Sequence, residues 1–203
     1  MLIGEQLAFR YSSRHHWVLQ DINVAIAPGE VVGLSAPSGF GKTTLGKLLA
    51  GYLRPTRGKV LVDDRHLPQQ GYCPVQLVFQ NPELAVNPRW RIHQILAEKQ
   101  PPDRALLDAL GIHSSWIDRY PHELSGGELQ RIAVARVLNP ATRYLIADEM
   151  TAMLDANTQA LIWRMVLDYA RSQNLGLLVI SHEVALIKRV CDRSLDLVQI
   201  GMR

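Results

Sequence analysis

An apolar segment that runs straight into a glycine-containing loop, and from there into a helical pattern, constrains the fold of this chain most. The segment is 31–35, the loop is Ala36-Pro-Ser-Gly-Phe-Gly-Lys-Thr-Thr44, and a helix is predicted from Thr43 to Ala50, before Gly51. Such a loop aims successive backbone N–H groups at one point, where the helix amino terminus adds positive partial charge. The sequence therefore predicts a phosphate-binding site within an α/β fold. The alternative is a glycine-rich turn that binds nothing.

The other apolar runs alternate between strand and helix patterns along the chain. Strands are predicted at 2–10, 22–27, 59–63, 75–79, 144–147, 176–181 and 194–200. Later helices are predicted from about 129 to 139, at 157–173 and at 183–191. Several strands are apolar on both faces, which is typical of a mostly parallel sheet covered by helices. We also expect an antiparallel β subdomain near the amino terminus.

From about 91 to 123 the pattern changes to helical spacing, and Pro101-Pro102 separates two helices. This predicts a small helical subdomain inserted into the α/β core. We expect a single domain over 1–203, with the core and its β subdomain at about 1–80 and 132–203 and the helical subdomain at 81–131. The sequence ends about where the sheet is expected to close, so a minimal core without a carboxy-terminal regulatory domain is predicted.

The composition argues against several classes of protein. The 22 Lys and Arg against 19 Asp and Glu give a net charge of +3 without a basic run, so nucleic acid is not expected as a partner. The amino terminus does not resemble a signal peptide, and the longest apolar stretch, 175–180, is too short to cross a bilayer. Cys73 and Cys191 have no metal or redox spacing and are expected to be reduced thiols. Any membrane role is therefore expected to come from partner subunits.

Within the loop, each residue type has a chemical task. Gly39 and Gly41 let the backbone approach phosphate oxygens, Lys42 can reach the β- and γ-phosphates, and the Thr43 hydroxyl can ligate Mg²⁺. Two positions depart from the usual phosphate-loop motif, because Ala36 replaces its first glycine and Phe40 replaces a small residue. We expect Ala36 to keep a negative φ and Phe40 to point away from the phosphates.

Two adjacent acids, Asp148 and Glu149, follow the apolar run 144–147. A carboxylate at the end of a strand can face a metal ion bound to phosphates, and its neighbour can polarise an attacking water as the general base. Two acids after a strand can equally belong to a solvated loop or a helix cap. Their position downstream of Lys42, with Leu154-Asp155 following, favours the functional interpretation.

The octapeptide Leu124-Ser-Gly-Gly-Glu-Leu-Gln-Arg131 lies between the loop and the acids and is the most specific pattern. Ser125, Gly126 and Gly127 open a helix, which gives a second anion-binding amino terminus. Because the chain already has a phosphate loop, a second phosphate site is useful if it serves the nucleotide of another subunit. A plain serine N-cap accounts for Ser125 but for neither glycine.

In this order, the loop, the octapeptide and the acids resemble the nucleotide-binding subunit of an ATP-binding cassette (ABC) transporter, over about residues 2–200. The resemblance implies a P-loop NTPase core that binds and hydrolyses ATP with Mg²⁺. It also implies a head-to-tail dimer with two nucleotides between the subunits. The nucleotide-binding residues that it implies are Tyr11, Ala36, Ser38, Gly39, Gly41, Lys42, Thr43, Thr44, Ser125, Gly126, Gly127 and Asp155.

The resemblance also implies roles in catalysis and metal binding. Glu149, His182 and Gln80 would be catalytic, with His182 bonding the γ-phosphate. Gln80 would sense Mg²⁺ and the attacking water while contacting the membrane subunit, and Tyr11 would stack on adenine. The implied metal ligands are Thr43, Gln80 and Asp148. The alternatives are an ordinary surface histidine, a solvated loop glutamine and a core aromatic residue.

Two segments resemble the peptide and nickel importer subfamily: Gln80-Asn-Pro-Glu-Leu-Ala-Val-Asn-Pro-Arg-Trp-Arg91 and Tyr120-Pro-His-Glu-Leu-Ser-Gly-Gly127. In that subfamily, two ATPase subunits pair beneath two transmembrane permease subunits, and an extracytoplasmic binding protein supplies the cargo. The resemblance therefore implies a peripheral protein on the cytoplasmic face of the cell membrane. Dipeptides, oligopeptides, nickel and metal chelates stay open as cargo, as does the choice between homodimer and heterodimer.

Two other functions stay open at this point. One is an ABC subunit of an exporter, and the other is a catalytically weak or silent partner in a heterodimeric ATPase. The second is suggested by Ala36, by Phe40 and by Met150-Thr-Ala-Met153, where the family usually has Pro-Thr-Ser-Ala. The presence of all the catalytic and metal-binding residue types argues against a silent subunit.

Overall fold

The structure, a computed structural model, describes residues 1–200 of the chain. Its strands are β1 Leu2–Phe9, β2 Leu19–Ile26, β3 Val31–Ser35, β4 Arg57–Val62, β5 Arg65–His66, β6 Val75–Val78, β7 Tyr144–Asp148, β8 Gly176–Ile180 and β9 Arg193–Asp196. Its helices are α1 Lys42–Leu49, α2 Ile92–Leu96, α3 Arg104–Ala109, α4 Gly126–Val137, α5 Ala156–Gln173, α6 Val184–Val190 and α7 Leu197–Ile200. Short 3₁₀ turns lie at Pro82–Ala85, Ser114–Trp116 and Pro121–Glu123.

Five strands form a parallel sheet in the order β6-β7-β8-β3-β9. Every residue of β7 and β8 is buried, as expected for strands that helices cover on both faces. The predicted mostly parallel sheet is therefore confirmed. Because these strands run in one direction, their carboxyl ends meet at a single edge of the sheet.

A second, antiparallel sheet has the order β2-β1-β4-β5. Its central strand β1 pairs with β2 and β4, and both ladders shift register near Gln6, which has a φ of 47°. Such a shift marks a bulge, which increases the local twist of the strand. The predicted antiparallel sheet near the amino terminus is confirmed, and the structure adds the short strand β5, which the sequence patterns did not indicate.

Helix α1 packs closely on the parallel sheet. A Cβ atom at Gly46 would lie 3.1 Å from Ile180 Cδ1 and 3.3 Å from Ile146 Cγ2. A larger side chain at this position would push the helix away from β7 and β8. Since α1 begins at the phosphate loop, its close packing fixes the loop relative to the ends of those strands.

The predicted helical character of the segment around 91–123 is confirmed. Helices α2 and α3 lie on either side of Pro101-Pro102, as expected. The buried side chains Ile92, Leu110 and Trp116 pack in one hydrophobic cluster with Ile132 of α4. This places the helix that follows the octapeptide against the short helices that precede it.

The last predicted strand was wrong in its second half. The pattern at 194–200 forms β9 only to Asp196, and α7 then begins at Leu197. The side chain of Asp196 accepts a hydrogen bond of 2.9 Å from Val198 N, the contact by which an aspartate starts a helix. Residues 201–203 lie outside the described part of the chain. Within residues 1–200, we find no helix that combines the length and apolar character needed to cross a bilayer.

Candidate active site

The candidate site lies at the carboxyl edge of the parallel sheet. The register pairs Asp148, the last residue of β7, with Ile180, the last residue of β8. The residues that follow these two positions, Glu149 and His182, therefore emerge side by side. The phosphate loop leaves the same edge from β3, next to β8, and Gln80 leaves it after β6.

A cleft of about 510 Å³ opens at this edge. It is lined by Tyr11, Val18, Ser38, Gly39, Gly41, Lys42, Thr43, Thr44, Gln80, Asp148, Glu149 and His182. All but one of these residues were predicted from the sequence. The exception is Val18, which reaches the loop through the folding of the antiparallel sheet. No local pattern around Val18 marks it.

The phosphate loop takes its shape from two glycines with positive φ, Gly39 at 82° and Gly41 at 90°. At Gly41 the conformation and the space both require glycine, because a Cβ there would lie 2.9 Å from Leu19 Cδ2 and 3.1 Å from Val18 Cγ1. A Cβ at Gly39 would meet no heavy atom within 4 Å. The backbone at Gly39 is therefore open to a ligand, while Gly41 packs against β2.

Lys42 is folded back onto its own loop. Its Nζ donates hydrogen bonds of 2.7 Å to the Ala36 carbonyl oxygen and 3.1 Å to the Pro37 carbonyl oxygen. An ammonium group has three donors, so one remains for a ligand in this geometry. The two carbonyl bonds hold the positive charge at the base of the cleft.

Ala36 and Phe40 occupy ordinary positions. Ala36 does not belong to the positive-φ residues among the described part of the chain, so its predicted negative φ is confirmed. It packs against the core cluster that contains Leu45 and Leu34. Phe40 is half exposed and does not line the cleft, which agrees with the predicted direction of its ring.

We expect Ala36→Gly to change the affinity for ATP by less than about threefold, which is under about 1 kcal/mol. The reason is that alanine at position 36 stores no left-handed strain for glycine to relieve. Titration of the purified chain with ATP measures the effect. Gly41→Ala is the matched comparison and should lose affinity, since it adds a side chain at a φ of 90°. A large gain for Ala36→Gly would show that the natural loop is strained.

Asp148 is a buried carboxylate, and its Oδ1 has no hydrogen-bond partner in the described structure. Burial raises the pKa of Asp148, and the Thr43 hydroxyl opposes that shift. An unpartnered buried carboxylate oxygen beside a hydroxyl fits a hard divalent cation such as Mg²⁺, which prefers oxygen ligands. The residues present therefore fit the cation that the sequence predicted.

Glu149 and His182 contact each other directly. The Glu149 carboxylate accepts a hydrogen bond of 3.0 Å from His182 N, and the ring Nδ1 of His182 lies 2.9 and 3.0 Å from the two carboxylate oxygens. The hydrogen bond from the ring to Glu149 raises the pKa of His182. Glu149 itself has a φ of 49°, a left-handed conformation that is unusual outside glycine. The structure thus joins two residues whose predicted roles were separate.

Tyr11 and Gln80 lie on different walls of the cleft. The Tyr11 ring packs edge-on against Phe9 at 5.0 Å, its hydroxyl lies 3.3 Å from Thr44 Oγ1, and most of it is exposed. Gln80 is exposed directly after Phe79, whose carbonyl oxygen accepts a hydrogen bond of 3.3 Å from Gln130 of α4. Tyr11 therefore offers a ring near the phosphate loop, and the octapeptide helix is joined to the residue before Gln80.

Besides Ala36, four predicted nucleotide-binding residues do not line this cleft: Ser125, Gly126, Gly127 and Asp155. They lie where α4 and α5 begin. Ser125 caps α4, with Glu128 N donating to its hydroxyl at 3.3 Å and Ser125 N donating to Glu128 Oε2 at 2.7 Å. The N-cap interpretation is confirmed. A Cβ at Gly126 would meet nothing within 4 Å, so this second helix end is open at the surface.

The sequence profile of the ABC transporter family matches residues 19–152, about two thirds of the chain. The chain belongs to the ABC transporter family. This ABC cassette is 32% identical over 197 residues to the oligopeptide transport ATP-binding protein OppF of Haemophilus influenzae. The match covers 87% of this chain and 59% of that protein. A Brucella ovis protein, provisionally named as a peptide import ATP-binding protein, is 34% identical over 196 residues, with 87% and 62% covered.

Solved structures show the same fold. The cbiO1 protein of Clostridium perfringens, part of the ABC transporter complex cbiONQ, superposes with a TM-score of 0.77 at 25% identity, with 96% of this cassette and 83% of that chain covered. The dimeric ATP-binding cassette MJ0796 bound to ADP and Pi gives a TM-score of 0.80 at 20% identity, with 97% and 94% covered. The cassette spans about three fifths of the length of the curated relatives that it matches.

Proposed function

We propose that this chain is the ATP-hydrolysing subunit of an ABC importer and that its cargo is a peptide. The observation that supports the proposal most is the cleft at the carboxyl edge of the sheet. There a lysine, an unpartnered buried carboxylate and a glutamate–histidine pair face a glycine loop at the start of a helix. Membership of the ABC transporter family gives this combination its interpretation.

The phosphates of ATP would bind at the loop. The backbone at Gly39 is open to an anion, and the amino terminus of α1 adds a positive partial charge. Lys42 would direct its third N–H donor to the β- and γ-phosphates, or would exchange one of its two carbonyl partners for a phosphate oxygen. Tyr11 would cover the adenine with its exposed ring. These residues bind and orient the nucleotide.

Thr43, Asp148 and Gln80 are the residues that would hold Mg²⁺. The cation neutralises charge on the phosphate oxygens when it is bound. Asp148 would serve as the ligand through its unpartnered Oδ1, since no other group of the described chain bonds that atom. Thr43 lies beside Asp148 at the start of α1.

Glu149 would act as the general base. Its carboxylate would accept a proton from a water molecule as the water oxygen bonds to the γ-phosphorus and the bond to the bridging oxygen of ADP breaks. His182 holds the carboxylate through its backbone N–H and its ring, at 2.9 to 3.0 Å. The base is therefore oriented before the nucleotide arrives, which lowers the cost of reaching the reacting geometry.

We propose a second cassette, either a copy of this chain or a related subunit, as the partner that closes the cleft head to tail. The open helix end at Ser125 and Gly126 is unused by the cleft of its own chain. Met153, which follows this site's acids, is 78% exposed, and Phe40 beside the cleft is 49% exposed. Burial of these apolar side chains against a partner would remove their surface from water, which is favourable.

Two transmembrane permease subunits are the second class of partner that we propose, with an extracytoplasmic binding protein supplying the cargo. Leu84, in the turn after Gln80, is 75% exposed, and Tyr52, which contacts Phe79, is 54% exposed. This apolar surface next to Gln80 suits a permease contact that responds to the nucleotide. The cassette would then lie on the cytoplasmic face of the membrane.

Peptide cargo is supported by the names of the relatives, which refer to oligopeptide transport and peptide import. Nickel and metal chelates remain the second class that the sequence predicted. Since the cassette would not touch the cargo, the deciding measurement uses the extracytoplasmic binding protein of the same transporter. Binding of peptides supports the proposal, and binding of nickel or a chelate corrects the cargo while leaving the ATPase assignment intact.

The cassette alone should be monomeric without nucleotide and should hydrolyse ATP poorly, because the partner's Ser125 surface is missing from its cleft. Assembly with its permeases should bring hydrolysis that depends on Mg²⁺ and rises with loaded binding protein. Light scattering and phosphate release measure the two properties. Vigorous hydrolysis by a demonstrably monomeric sample would refute the closed dimer. An assembled transporter whose hydrolysis depends wholly on a different ATPase subunit would instead identify this chain as the silent partner.

A further inference from the structure

A buried hydroxyl lies two residues after the proposed base. Thr151 is 2% exposed, and its Oγ1 accepts hydrogen bonds of 2.9 Å from Trp163 Nε1 and 3.0 Å from Gln159 Nε2. Both donors lie on α5, four residues apart and thus on one face of the helix. A threonine hydroxyl has two acceptor sites, so these two bonds fill its accepting capacity.

The same hydroxyl belongs to a tight turn that starts at Glu149. Ala152 N donates to the Glu149 carbonyl oxygen at 3.1 Å, and Leu154 N donates to the Thr151 carbonyl oxygen at 3.1 Å. Met150, between Glu149 and Thr151, is buried in the core. The Thr151 hydroxyl therefore supplies hydrogen bonds that join the turn to α5, while the backbone bonds of Ala152 and Leu154 run within the turn.

Glu149 needs such support because of its backbone conformation. Its φ of 49° is unfavourable for a residue with a side chain and persists where the surrounding structure holds it. On one side, Glu149 N donates to the Ile180 carbonyl oxygen at 3.0 Å. On the other side, beyond the buried side chain of Met150, the next hydrogen bonds to a different element are those that the Thr151 hydroxyl accepts from α5.

We infer that Trp163 and Gln159 are positioning residues for Glu149, which they hold in its left-handed conformation through the Thr151 hydroxyl. This inference rests on the proposed function, in which Glu149 is the base. Loss of the anchor lets the turn relax, and the carboxylate then leaves the direction that His182 and the cleft require. A misplacement of about 1 Å in an active site can lower the rate by up to about a hundredfold.

The test compares two buried threonines in the assembled transporter. Thr151→Val removes the anchor, and Thr151→Ser keeps it. Thr142→Val is the control, since Thr142 is 4% exposed and its hydroxyl donates to the Val137 carbonyl oxygen at 2.6 Å, away from the cleft. The readouts are kcat and KM for ATP, the melting temperature, and amide hydrogen exchange of the segment 149–154.

Thr151→Val should lower kcat about tenfold, within the range that misplacement of a catalytic group produces, and should leave KM for ATP nearly unchanged. Exchange at 149–154 should become faster. Thr151→Ser should keep kcat and the exchange at 149–154 at their wild-type values. Thr142→Val should lower the melting temperature but leave kcat and this exchange unchanged. If Thr151→Val does not fold, Trp163→Phe takes its place, because it removes one donor and keeps an aromatic ring.

A Thr151→Val variant, or Trp163→Phe in its place, with the wild-type kcat and wild-type exchange at 149–154 overturns the inference. So does a Thr142→Val variant that lowers kcat as much as Thr151→Val, because the effect would then follow stability alone. The exchange measurement needs no hydrolysis. A transporter in which the wild-type chain is inactive therefore refutes the proposed function, while exchange alone still decides whether Thr151 anchors the turn.

Discussion

Glu149→Gln is expected to stop ATP turnover while ATP still binds and holds the cassettes together. The change removes the basic oxygen but keeps the size of the side chain and leaves Asp148 in place. If Glu149 acts as the general base, the loss in kcat is on the order of 10²–10⁴-fold. Phosphate release by the assembled transporter gives kcat, and light scattering with ATP detects the closed dimer that the variant should accumulate.

Glu183→Gln is the matched control for this prediction. Glu183 follows His182 as the N-cap residue of α6, and it does not line the cleft. Glu183→Gln therefore replaces the same carboxylate by the same amide next to His182 but outside the cleft, and turnover should stay close to wild type. Undiminished hydrolysis by Glu149→Gln would show that another group takes the proton.

Lys42→Ala is the second change with a large expected effect. A charge-assisted hydrogen bond contributes about 1.5–3 kcal/mol, so its loss should weaken ATP binding roughly tenfold to a hundredfold. Folding should be little affected, because Lys42 Nζ bonds two carbonyl groups of its own loop, those of Ala36 and Pro37. Titration with ATP measures the affinity, and thermal melting checks the fold.

Lys47→Ala serves as the control because Lys47 is also on α1 and near Asp148, yet it does not line the cleft. Its removal should change the affinity for ATP far less than that of Lys42. Equal losses of ATP affinity for the two variants would mean that the positive charge on α1 determines the affinity and that a contact of Lys42 with phosphate does not.

The sequence predicts most of the cleft because its residues follow apolar runs directly. Asp148 ends β7 and Glu149 follows it, His182 lies two residues after β8, and the phosphate loop follows β3. In a parallel sheet such positions share one edge, so a local pattern is enough to bring distant residues together. The Ser125 cap of α4 could also be predicted from the sequence, because a capping box is a local pattern.

What could not be predicted depends on contacts between distant segments. Val18 lines the cleft because β2 folds under the phosphate loop, and the bonds from α5 to Thr151 require knowing how that helix packs. The direct contact of His182 with Glu149 depends on an unusual φ that no residue pattern indicates. The helix at Leu197 was missed because an apolar run of that length is compatible with both strand and helix.

The parallel sheet has an opposite edge, where its strands begin, and there the chain can change length without altering the chemistry. The turn at Asn174, between α5 and β8, lies on that side and is exposed. Residues added at Asn174 leave the lengths of β7 and β8 intact, so Glu149 and His182 still emerge together. One residue added within β8 would instead rotate His182 to the other face of the sheet. Insertions and fused reporters therefore belong where the strands begin, while the carboxyl edge, which holds the site residues, does not tolerate a change in spacing.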